Sequence, residues 1–156
     1  MAPLPAPVRS AAAVQSLDRA EHALLEADAA TEHTARYASA HVAALRTAAA
    51  VLAVRTRPHP RGERNAWVLL ARVAPELAEW AGFFSAGAAK RQAAEAGLSR
   101  AVTTREADDL LRDAESFLRV VEELLDQPRQ PLHPGQAPGA VAGRGRPSGR
   151  VGRRAG

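Results

Sequence analysis

At 156 residues with 46% hydrophobic side chains, the chain can build one modest core but hardly two. It contains no cysteine, which excludes disulfides, thiolate zinc sites and cysteine nucleophiles and fits a cytoplasmic protein. The pI of about 10.8 belongs to one end of the chain, because Arg129, Arg144, Arg146, Arg150, Arg153 and Arg154 lie beyond Asp126 and no acid does. That leaves 15 basic against 17 acidic residues in 1–126.

Residues 1–15, with Pro3, Pro5 and Pro7, read as a disordered leader without the charged-then-apolar order of a signal peptide. Ser16 is the expected cap of a first helix over about 17–29, with Leu17, Ala20, Leu24 and Ala27 on one face. Thr31 is the next cap candidate, followed by Glu32 in a first turn where the helix dipole favours an anion. The central helix then runs from about Arg36 to Val54. It is thin, since Ala38, Ala44, Ala48 and Ala49 let neighbours approach its backbone while Tyr37, Leu45, Val51 and Leu52 supply bulk. No apolar run has the length of an unbroken membrane span, so no membrane partner is expected.

Pro58, Pro60 and Gly62 stop that helix in a basic loop carrying Arg55, Arg57, Arg61 and Arg64. Asn65 caps the next helix, with Trp67, Leu69, Leu70 and Val73, and Pro75 demands a kink or a fresh start. Leu77, Trp80, Phe83 and Phe84 continue the stripe, and these aromatic residues with Trp67 are core candidates. The segment 85–96 keeps a helical composition with few large apolar residues, and Gly97 reads as its stop. Thr103 and Glu106 form a capping box. Behind it Ala107, Leu110, Leu111, Ala114, Phe117, Leu118, Val121, Leu124 and Leu125 repeat at helical spacing. The expected fold is all-α, an antiparallel up-and-down bundle of four to five helices over 16–126. Residues 127–156, rich in Gly, Pro and Arg, read as a disordered basic tail.

Three stretches carry a resemblance: Ala35-Arg-Tyr-Ala-Ser-Ala-His-Val-Ala-Ala-Leu-Arg46, Asn65 to Phe84, and Arg105 to Leu125. Together they resemble a stand-alone HEPN domain of the actinobacterial type. The resemblance implies an up-and-down helical bundle and frequent homodimerisation. It also implies a superfamily of ribonucleases, partners of nucleotidyltransferases, and nucleotide-binding or interaction modules.

Catalytic members of that superfamily resemble one another in an Arg-x4–6-His motif near the start of a late helix. Here the last helix contains no histidine, and the match is Arg36-x4-His41 in the central helix. With so many arginines, roughly two such matches are expected by chance. An i,i+5 pair also lies about 140° apart around a regular helix, so the two side chains serve one phosphate only if a dimer partner completes the site. The alternative places Tyr37 and His41 in the interior, hydrogen-bonded to neighbouring helices, with Arg36 paired to Glu32. His33 and His41 are about 12 Å apart along the axis, too far to share a metal ion, and neither a metal nor a cofactor is expected.

Two readings therefore stand. In the first the domain is a non-catalytic HEPN-like module that binds a partner protein, nucleic acid or nucleotide and associates as a homodimer. Arg55, Arg57, Arg61 and Arg64 are its phosphate-binding candidates, and Arg144, Arg146, Arg150, Arg153 and Arg154 its nucleic-acid tail. In the second, Arg36 and His41 form a metal-independent ribonuclease site across a homodimer.

Overall fold

The computed structural model describes residues 10–56 and 65–126, and the leader before Ser10, most of the basic loop and the tail lie outside them. The described residues form six α-helices and no strand: α1 (Ala11–Ala29), α2 (His33–Arg55), α3 (Ala66–Val73), α4 (Ala78–Ala86), α5 (Ala88–Glu95) and α6 (Thr104–Asp126). The all-α bundle is as expected, with more pieces because Pro75 and Gly87 each divide a segment. Pro75 opens a one-turn 3-10 helix, Pro75–Leu77, between α3 and α4, its missing N–H costing nothing at that position.

The first helix begins at Ala11 rather than near residue 17. Ser10, not Ser16, is its cap, accepting a hydrogen bond from the Ala13 amide at 3.1 Å. Alanine at 11, 12 and 13 propagates a helix at almost no entropic cost, and Ala13 is buried at its start. Thr31 likewise does not cap α2, whose first position follows Glu32 without any side-chain cap bond. Two other expected starts are present. Asn65 accepts from the Trp67 and Val68 amides at 3.0 and 3.3 Å. Thr103 and Glu106 exchange both bonds of a capping box, at 2.9 and 3.0 Å.

α2 is the helix against which α1, α3, α5 and α6 all pack. By length and composition it is apolar enough to cross a membrane, yet half of that window is buried inside the bundle. Its alanines face α1 and α6: Ala40, Ala43, Ala44, Ala48 and Ala50 are each at most 1% exposed, so backbones close in where side chains are small. α2 and α6 start at the same end of the bundle, and the α3–α4 segment runs in the opposite direction. Arg55 accordingly meets Glu76, while Tyr37 and His41 meet Gly87. The largest core side chains are aromatic: Trp67 and Trp80 each lie 5.2–6.3 Å from Phe84 and Phe117, and those two phenyl rings are 5.2 Å apart.

The glycines of α4 and α5 have opposite roles. A methyl group at Gly82, within α4, would meet nothing within 4 Å, whereas at Gly87 it would lie 3.1 Å from the Tyr37 hydroxyl and 3.2 Å from His41 Nε2. Gly82→Ala should therefore raise stability by roughly 0.5–1 kcal/mol through lost chain entropy. Gly87→Ala should lower it by about 1–3 kcal/mol through overpacking. Thermal melts of the two variants shifting in the same direction would refute this assignment. Gly97, at φ +79, closes α5 in the left-handed conformation, with its amide bonded to Ala94 and the Leu98 amide to Ala93 at 3.0 Å each.

Candidate functional site

Arg36 and His41 share a helix but do not converge. Arg36 sits one turn into α2, where the chain has just left α1, and its guanidinium is used on every nitrogen. Nε donates to the Ala27 carbonyl at 3.0 Å, Nη2 to Ala30 at 2.8 Å and Asp28 at 3.3 Å, and Nη1 to Asp108 Oδ1 at 2.6 Å. These carbonyls are the open C-terminal end of α1, where a cation is favoured by unsatisfied acceptors and by the helix dipole. Arg36 thus caps α1 and ties it to α6. The expected partner Glu32 is not the one it takes; a local i,i+4 pair loses to three carbonyls and a carboxylate gathered at one point.

His41 lies on the inner face of α2 and is 1% exposed. Its ring packs against Tyr37 at 6.1 Å and edge-on to Phe84 at 6.0 Å, with Gly87 against Nε2. Interior placement is as expected, but hydrogen bonding is not: neither ring nitrogen has a partner among the described residues. The Phe84 carbonyl is close enough to favour a charged ring slightly without being aligned for a bond. Burial dominates, helped by the Arg91 guanidinium, and holds the imidazole down to about 4, so the ring is neutral near pH 7. Tyr37 is pushed the other way, its phenol raised by burial and by Glu106. Only the absence of a glycine side chain lets two polar groups come so near the turn between α4 and α5.

The remaining polar groups near this end hold the helices in place. His33 Nε2 donates to the Ser99 carbonyl at 2.8 Å, and Lys90 pairs with Glu106. The ammonium and the Thr103 amide keep the Glu106 carboxyl below its ordinary value despite partial burial. Among the described residues no group of three or more His, Asp or Glu side chains could hold a metal ion.

Of the basic-loop candidates, Arg55 falls within the described residues. It bridges to Glu76, with contacts of 2.8 and 3.0 Å, and reaches the Val73 carbonyl at 3.3 Å. The pair holds the Glu76 carboxyl low and fastens the 3-10 turn to the end of α2. Arg57, Arg61 and Arg64, and the tail arginines Arg144, Arg146, Arg150, Arg153 and Arg154, lie outside the described residues. Asp113 is a buried acid in the middle of α6 that the helical stripe does not reveal, since its neighbours Arg112 and Glu115 belong to the polar face.

Compared with known families, residues 27–122 match the one described as SAV_6107-like HEPN. No curated protein and no solved structure matches the chain.

Proposed function

Because the chain belongs to the SAV_6107-like HEPN family, we propose that it works as a non-catalytic HEPN module, with Arg36 and His41 serving its architecture and a nucleic acid as its partner. The observation that carries the non-catalytic half is the commitment of Arg36. A guanidinium with four of its five N–H donors engaged on the end of α1 and on Asp108 has to break some of those bonds before it can grip a phosphate with two. With α5 in place near pH 7, His41 is neutral and enclosed and in no position to exchange protons with a bound strand.

Charge distribution supports the choice of partner. The described residues carry 11 basic and 16 acidic side chains and repel a polyanion, whereas the tail beyond Asp126 carries six arginines and no acid. Binding then runs through Arg144, Arg146, Arg150, Arg153 and Arg154, with Arg57, Arg61 and Arg64 as a second basic patch, and follows phosphate charge more than sequence. Deleting residues 127–156 should leave helicity and melting temperature nearly unchanged and remove most salt-sensitive binding. Anisotropy with a labelled RNA and its DNA counterpart between 50 and 200 mM salt measures this. Binding that survives the deletion at full strength would move the nucleic-acid site off the tail, and none in the intact chain would favour a protein partner instead. The module is also proposed to dimerise: Val14 and Leu25, 43% and 67% exposed, lie on one face of α1. A monomeric mass by light scattering at tens of micromolar would refute dimerisation.

A further inference from the structure

α5 is attached to the bundle by little. Ala94 is its one buried residue, its outer ties are the Lys90–Glu106 ion pair and the His33–Ser99 bond just beyond it, and Leu98 after it stands 57% exposed. Glycines bound it at both ends, Gly87 and the left-handed Gly97. A helix with so little buried apolar surface opens at lower cost than the core helices. Beneath its first turn lie the Tyr37 hydroxyl and His41 Nε2, both within 3.2 Å of the point where a Gly87 side chain would begin.

A buried imidazole without a hydrogen-bond partner tolerates only the neutral state. Its surroundings sharpen that condition. α2 offers Tyr37, and α4 offers the Phe84 ring and carbonyl. α5 offers Lys90 and Arg91. α6 offers Glu106, engaged with Lys90 and Thr103 and acting on Tyr37. Of these charges the one that bears on the His41 ring is Arg91, which repels its cation.

We propose that α5 is an acid-released cover: protonation of His41 detaches the segment between Gly87 and Gly97 from α2 and exposes Tyr37 and the imidazole, while α1, α2 and α6 stay packed. With α5 displaced, the ring regains water and the ordinary imidazole affinity for a proton, near pH 6.5. Closed, it resists protonation down to about 4. The opening constant therefore rises tenfold per pH unit between those limits, about thirtyfold from pH 7.5 to pH 5.0.

Hydrogen–deuterium exchange of the full chain at those two pH values, corrected for intrinsic rates, tests the cover. α5 amides are expected to open more often than those of α2 and α6 at both pH values and about thirtyfold more often at pH 5.0 than at 7.5. His41→Gln should abolish the rise. His41→Phe, which keeps the ring contacts with Tyr37 and Phe84, takes its place if His41→Gln does not fold. α5 exchanging in step with α2 and α6, or an undiminished rise in the His41 variant, would overturn the proposal, whatever the protein's partner.

Discussion

Between pH 7 and pH 4 the bundle should lose about 3 kcal/mol of stability through His41 alone. The sign follows from the two states. Unfolded, the imidazole takes up a proton near its ordinary pH of about 6.5. Folded, burial and Arg91 hold it neutral down to about 4. Acid therefore favours the unfolded chain throughout that interval, by about 1.4 kcal/mol per pH unit, and the loss is complete once the folded ring also protonates. Above pH 6.5 the group contributes no slope. Glu76 and Glu106 sit below the usual carboxylate range, so their ion-pair contributions fade only at the acid end of this window and beyond it. Urea unfolding at pH 7.5, 6.0 and 5.0 should show the decline in the natural sequence and little of it in His41→Phe. Equal slopes for the two proteins would mean that the imidazole is already wet in the folded chain.

The larger single loss is expected at Phe84. Its ring is wholly buried and lies 5.1–6.0 Å from those of His41, Trp67, Trp80, Phe83 and Phe117, so α2, α3, α4 and α6 all meet on it. Truncation to alanine removes the transfer free energy of a full ring and leaves a cavity whose walls are rigid aromatics that collapse poorly. The cost should be about 3–5 kcal/mol by urea unfolding, enough to unfold a marginally stable domain. Phe83→Ala, at a partly buried ring on the edge of the core, should cost under about 2 kcal/mol. A Phe84→Ala cost as small as that of Phe83→Ala would show that the helices are held together elsewhere.

What could be read from the sequence was local. Asn65, Pro75, Gly97 and the Thr103–Glu106 box act through backbone groups within three residues of themselves, so composition predicts their geometry directly. The α6 stripe was legible for the same reason: a period of 3.6 needs no knowledge of what it packs against. Ser10 was missed because the nearby prolines point to an unstructured leader, whereas the helix extends back to Ala11 with Ala13 buried at its start. Arg36 illustrates the other limit. Its carboxylate partner lies 72 residues away and its carbonyl partners belong to another helix end, so no spacing rule reaches either. For His41 the sequence placed the ring inside but not the lack of a hydrogen-bond partner, which depends on Gly87 admitting the ring beside bare backbone.

The claim that Arg36 and His41 hold the structure and do not cut RNA has one direct measurement. The purified chain is incubated with labelled RNA in the presence of a metal chelator, beside Arg36→Ala and His41→Ala, and each variant's melting curve is recorded. The RNA should remain intact in all three, and both variants should melt earlier. His41→Ala should lose roughly 1–3 kcal/mol of core packing, and Arg36→Ala should lose the cap on α1 together with its tie to Asp108. Metal-independent cleavage by the natural sequence that disappears in both variants, with melting curves unchanged, would contradict the account and restore the pair as a catalytic site.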